Sequence, residues 1–254
     1  MRIGIDHSII KRANGHIKQL LIALLFVISS VPCQSQTMFG TTGMMNAPSA
    51  DMRPTGTFDG GFSLVQKNLL YNKDYNTLLY YISFTPFSWM EITYREIMLK
   101  HKSADNPDKM VFYNEDRSTS VRLRPLKEGK YWPAVVLGVN DLIGNGSSRT
   151  ASIYGVASKH FPIATVGTFE ATIGYAIPYE KKKGKKGVVY DGVMGGVTFA
   201  PAFFPDMRVM GEYDSQGYNV GIGAFLFRHL NLTCFTREFK GINATVSYQY
   251  TIPY

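Results

Sequence analysis

Polar and apolar residues alternate along most of this chain, most cleanly at its end. Ile242, Ala244, Val246, Tyr248, Tyr250, Ile252 and Tyr254 are apolar or aromatic; Asn243, Thr245, Ser247, Gln249, Thr251 and Pro253 between them are not. Successive side chains of a strand point to opposite faces, so this segment has one greasy and one wet face. In a soluble sandwich the greasy face would meet a second sheet. In an outer-membrane barrel it would meet lipid, and the wet face would line the lumen.

The pattern recurs. Phe58, Gly60, Phe62 and Leu64 alternate with Thr57, Asp59, Gly61 and Ser63; Met90, Ile92 and Tyr94 with Glu91, Thr93 and Arg95. Val121 and Leu123 alternate with Ser120, Arg122 and Arg124; Phe169, Ala171, Ile173 and Tyr175 with Thr168, Glu170, Thr172 and Gly174. Bounded by turn residues, such segments predict strands near 55–66, 76–85, 88–98, 117–125, 132–141, 149–160, 165–177, 188–200, 206–214, 217–227, 230–238 and 241–252. In 76–85, 132–141 and 149–160 the alternation is weak, because both faces carry apolar residues.

The connections decide between the two architectures. Those after the second, sixth and eighth strands are short and aromatic (Thr85-Pro-Phe87, Phe161-Pro-Ile163, Phe203-Phe-Pro-Asp206), and the tenth ends in Phe227-Arg-His229. Those after the first, third, fifth and seventh are longer and polar, at 67–75, 100–116, 142–148 and 178–187. Short turns on one rim and long loops on the other mark a bacterial outer-membrane barrel, whereas a sandwich has no reason to sort loops by parity. An even strand count also returns both ends to one side. The fold expected is therefore all-β: a transmembrane antiparallel β-barrel of about 12 strands over residues 55–254.

The preceding residues divide in two. Leu20 to Val31 is an apolar block behind Lys11, Arg12 and Lys18, which reads as a signal peptide over 1–35 with cleavage near Ser35. Ser30-Val31-Pro32 before Cys33 makes a poor lipobox; without the signal, Cys234 stands alone and no disulfide can form within the chain. Residues 36–54 are punctuated by Gly and Pro, have no period, and read as an irregular lead-in. No apolar run reaches the roughly 18 residues a membrane helix needs. The formal charge of +8 falls to about +5 when four cations and Asp6 leave with the signal.

Three stretches resemble the YjbH family of outer-membrane exopolysaccharide-associated proteins. They are Gly40-Thr-Thr-Gly-Met-Met-Asn-Ala-Pro-Ser-Ala-Asp-Met52; Ser118–Arg124 leading into Pro133–Gly146 and Tyr154–Lys159; and Gly195–Ser215 with Glu212-Tyr-Asp-Ser215. The resemblance is to the N-terminal portion of longer members, and Asn145 stands where a Thr is usual. It implies a barrel in the outer membrane of a Gram-negative bacterium that works with exopolysaccharide machinery and has no known enzymatic step.

On the assigned faces Asp59, Glu91, Arg95, Arg122, Arg124, Glu170, Arg208, Glu212 and Arg237 point into the lumen. Charges cost far less there than on the lipid face. They form either an internal salt-bridge network that fills and rigidifies the barrel, or an Arg-rich wall that holds an anionic glycan, which the planar guanidinium fork suits. Lys181, Lys182, Lys183, Lys185 and Lys186 form a basic patch in the loop after the seventh strand. It is either a solvated tip or a contact for lipopolysaccharide phosphates or acidic exopolysaccharide. No stacking platform accompanies these lysines, so nucleic acid is not an expected partner.

Enzyme chemistry finds little support. Beyond the signal the histidines are His101, His160 and His229. Ser158-Lys-His160 could suggest a barrel phospholipase, but its Ser and His are two apart on one strand. No His/Cys/carboxylate spacing supports a metal site, and neither a metal nor a cofactor is expected. Trp89, Trp132, Tyr248 and Tyr254 read as interfacial girdle. The expectation is a non-enzymatic barrel assisting exopolysaccharide secretion or surface retention, with outer-membrane lipid, lipopolysaccharide, the glycan and its export machinery as partners. The alternatives are a diffusion porin or structural barrel, and a barrel hydrolase.

Overall fold

The computed structural model describes residues 35–69, 75–102, 110–144, 150–179 and 190–253. The described part of the chain forms twelve antiparallel strands: β1 (Thr57–Val65), β2 (Thr77–Phe87), β3 (Met90–Lys102), β4 (Met110–Leu126), β5 (Ala134–Gly144), β6 (Ser152–Ile163), β7 (Gly167–Pro178), β8 (Gly192–Pro201), β9 (Met207–Tyr213), β10 (Tyr218–Leu226), β11 (Leu230–Arg237) and β12 (Asn243–Thr251). Each strand pairs with its sequence neighbours, and β1 pairs with β12, from Thr57 opposite Thr251 to Leu64 opposite Ala244. The sheet closes on itself, so no strand edge is left open.

The alternation sorts residues as a lipid-embedded barrel requires. Phe62, Ile82 and Ile173 are 51%, 54% and 67% exposed on the outer face, whereas Asp59, Ser83 and Ser247 are buried inside. Outward rings stack across strands, Phe58 on Phe84 at 4.2 Å and Phe169 on Phe199 at 4.5 Å. Trp89 and Trp132, both half exposed, sit at the short-turn rim beside Phe87 and Tyr131. Tyr254, residues 1–34 with Cys33, Asn145 and Lys181–Lys186 lie outside the described residues.

Several expected boundaries are corrected: β2 runs through Phe87 and β6 through Ile163, so residues 85–87 and 161–163 are strand ends rather than turns. The span 100–116, expected to be loop, is largely hairpin, since β3 runs to Lys102 and β4 starts at Met110. Likewise β5 continues to Gly144. The runs 100–102 and 114–116 are polar throughout and Leu142-Ile143 is apolar throughout, so none gives a dyad signal, but the ladder needs only backbone N–H and C=O groups.

The irregular lead-in goes into the lumen. Every residue from Ser35 to Ala50 is buried, and so are Met52 and Arg53. The segment folds back on itself through bridges between Gln36 and Thr42 and between Gly43 and Pro48. Gly40, at φ +86°, lies so close to the Tyr81 ring that a Cβ would sit 2.4 Å from its Cγ. Met38, Phe39, Met44, Met45, Ala47 and Met52 share one apolar cluster with luminal Leu79, Tyr81, Val136, Tyr154, Val156 and Phe235. This explains the weak alternation of the second, fifth and sixth strands. Their inner faces are apolar where they pack against this plug rather than against water.

Candidate functional site: the plug and its luminal anchors

An irregular segment buried in a barrel must find partners for its own backbone groups, and the luminal side chains supply them. On β3, Glu91 takes the N–H of Thr42 at 2.9 Å and also accepts from the Thr42 hydroxyl. Arg122 on β4 pairs with Glu91 at 3.1 Å and donates to the carbonyls of Thr42, Ser49 and Asp51. Arg53, from the plug itself, lies 3.6 Å from Glu91 and 3.8 Å from Asp59. These charges are buried to within 1%. Removing ions from water costs several kcal/mol each. Here the carboxylate is flanked by two guanidinium groups.

Glu212 on β9 works differently. Its carboxylate accepts the backbone N–H groups of Met45 (3.0 Å), Asn46 (2.7 Å) and Ala47 (3.1 Å), and the Asn219 amide at 2.9 Å. Asp214 accepts from Asn46 Nδ2 and Asn219 Nδ2 and pairs with Arg237. Tyr190 donates to the carbonyl of Asn46 at 2.8 Å. Ser63 donates to the carbonyl of Met38, and Ser158 accepts from Ala50 N–H, both at 2.8 Å.

Towards the short-turn rim, His160 on β6 pairs through Nδ1 with Glu128 at 2.6 Å, while its Nε2 faces Asp51 of the plug and Glu170 of β7. Glu128 lies in the turn between β4 and β5. Burial there pushes its carboxyl up, but the backbone N–H and ring of His160, with Lys159, hold it below its ordinary range.

The luminal residues named from sequence therefore divide. Glu91 and Arg122 meet in one cluster, and Glu212 and Arg237 in another through Asn219 and Asp214. Arg95 is fully buried, donates to Ser118 (3.0 Å) and Thr150 (2.6 Å), and lies over the Phe39 ring. Arg208 is buried within electrostatic range of Asp51 and Glu170. Glu170 accepts from Thr172 at 3.3 Å. Arg124 departs from the expectation. It sits at the mouth, donating to the Ser88 carbonyl in the short β2–β3 turn. Ser158 and His160 form no nucleophile–base pair: the hydroxyl is shared with Thr172 and Ala50, and the ring with Glu128.

Sequence reasoning missed the plug's side of every contact, including Thr42, Asn46, Asp51 and Arg53, and missed Glu128, Tyr190 and Asp214. The weak alternation in three strands was the available signal: an apolar inner wall needs something apolar inside it.

A family model described as "Exopolysaccharide biosynthesis protein YbjH" matches residues 35–250, so it spans plug and barrel together. No curated protein matches the chain. Among solved structures, outer membrane phospholipase A from Escherichia coli is similar at 12% identity and a TM-score of 0.35, over 79% of this chain and 98% of that one. The Salmonella typhi outer membrane phospholipase dimer with bound calcium gives 10% identity and 0.34, over 79% and 92%.

Proposed function

Since the chain belongs to the YjbH exopolysaccharide biosynthesis family, we propose that it is a non-enzymatic outer-membrane barrel that assists exopolysaccharide secretion or surface retention with its lumen plugged. One observation carries this reading: buried charged side chains on β3, β4 and β9 hold the plug in the lumen. Glu91, Arg122 and Glu212 each bond directly to its backbone. A polymer reaches buried Arg95, Arg122 or Arg208 only after the plug moves, whereas Arg237 is part-buried and held by Asp214 and Asn219. Contact with an anionic glycan or with lipopolysaccharide phosphates then falls to the β7–β8 connection, whose sequence carries the basic patch Lys181, Lys182, Lys183, Lys185 and Lys186.

The test pairs two measurements. In planar bilayers the intact protein conducts little, and deleting residues 36–52 opens it. Changing the five lysines to Gln lowers cell-bound polysaccharide while leaving heat-modifiable folding intact. A large steady conductance of the intact barrel would instead support a diffusion porin, and unchanged polysaccharide in the lysine variant would remove the surface-retention mechanism. Lipase activity of refolded protein would revive the hydrolase reading.

A further inference from the structure

Independently of glycan handling, the geometry points to a divalent transition-metal site at the short-turn end of the lumen, formed by Asp51 Oδ2, His160 Nε2 and Glu170 Oε2, that clamps the plug to the barrel wall. The three donor atoms lie within 4.8 Å of one another. His160 Nε2 is 3.6 Å from Asp51 and 3.9 Å from Glu170. Both distances exceed a hydrogen bond. Donors sharing a zinc ion at about 2.0–2.2 Å stand about 3.4 Å apart in tetrahedral geometry, so a small contraction completes the set.

The surroundings prepare the imidazole for this task. Nδ1 meets the Glu128 carboxylate at 2.6 Å, so the neutral ring carries its proton there and turns the Nε2 lone pair towards Asp51 and Glu170. The plug backbone is fixed next to the site, with Ala50 N–H on Ser158 Oγ and the Asp51 carbonyl accepting from Arg122. Thr198, the cross-strand partner of Glu170, is 4% exposed and its Oγ1 has no hydrogen-bond partner, which leaves a hydroxyl for a metal-bound water.

Charge limits the ion. Two carboxylates and a neutral ring carry −2, with Arg208 and Arg122 near Asp51 and Lys159 neutralising Glu128. With the arginines offsetting part of that −2, an ion of charge above two does not fit. A set of one nitrogen and two oxygens suits Zn²⁺ or Mn²⁺ rather than the all-oxygen shells of Ca²⁺ and Mg²⁺. The ligands come from the plug, β6 and β7. Binding therefore joins three separate parts of the chain and resists withdrawal of the plug.

The experiment titrates metal-stripped, untagged protein in detergent with ZnCl₂, using MgCl₂ and CaCl₂ as controls. Saturable uptake near one zinc per barrel is expected, with a raised unfolding temperature and slower proteolysis of residues 36–53. Asp51→Asn, His160→Gln and Glu170→Gln each lower affinity by more than tenfold; Glu128→Gln, which removes only the orienting carboxylate, lowers it by roughly tenfold. Where a variant fails to fold, X-ray absorption on zinc-loaded wild-type protein decides, an oxygen and nitrogen shell with one imidazole being the expected result. Absence of stoichiometric uptake, uptake surviving His160→Gln, or a shell without imidazole overturns the site.

Discussion

Glu91 and Glu212 are both buried carboxylates on the luminal face, and both hold the plug, yet they meet the cost of burial in opposite ways. Glu91 is neutralised by Arg53 and Arg122 and adds two bonds from Thr42. Glu212 has no cation within ion-pair distance among the described residues; three successive backbone N–H groups and an Asn amide surround it instead. The first anchor is a charge cluster that also stitches β1, β3 and β4 together. The second is a cradle of dipoles that recognises the shape of one plug turn. A buried ion network is unforgiving because each member depends on the others, whereas a dipole cradle loses bonds one at a time.

This contrast ranks the consequences of breaking each. Glu91→Gln leaves Arg53 and Arg122 buried without their shared counter-charge and costs about 3–5 kcal/mol. It should lower the temperature of heat-modifiable unfolding in detergent and expose the plug to protease. Glu212→Gln keeps one good acceptor and strands no cation, so its cost is about 1–3 kcal/mol, measured the same way. If Glu212→Gln proves the more damaging, the distinction between the anchors fails.

The smallest effect concerns pH at the rim. Glu128 is held below the ordinary carboxylate range, after burial that opposes this, by His160 and Lys159. A depressed folded-state value means that its stabilisation is present above the unfolded carboxylate value and fades as pH falls through the folded one. Melting temperatures between neutral and acidic pH should therefore drop less steeply for Glu128→Gln than for the wild type. Identical slopes would show that the His160 pair adds nothing to stability. The exposed Glu238–Lys240 pair at the opposite rim should show no measurable contribution in the same series.

Much of the barrel was legible because lipid and lumen impose a period of two on every strand. Phe58/Asp59, Met90/Glu91 and Tyr248/Gln249 can be sorted from sequence alone, and the sorting turns the charges inward with Arg124, at the mouth, as the exception. The hairpin ends at Lys102 and Met110 were not legible, since polar residues there carry no facial signal. Nor was the cluster of Asp51, His160 and Glu170. No spacing motif marks it, because Asp51 stands more than a hundred residues from its two neighbours.

The amino-acid pattern by itself determined a closed, two-faced sheet and a luminal wall with charges on some strands and apolar patches on others. Only the tertiary structure decided what that wall faces. A segment without period carries no record of its partners, because backbone N–H and C=O groups are the same at every residue. Whether they meet water or Glu91, Arg122 and Glu212 depends on closure of the barrel around them.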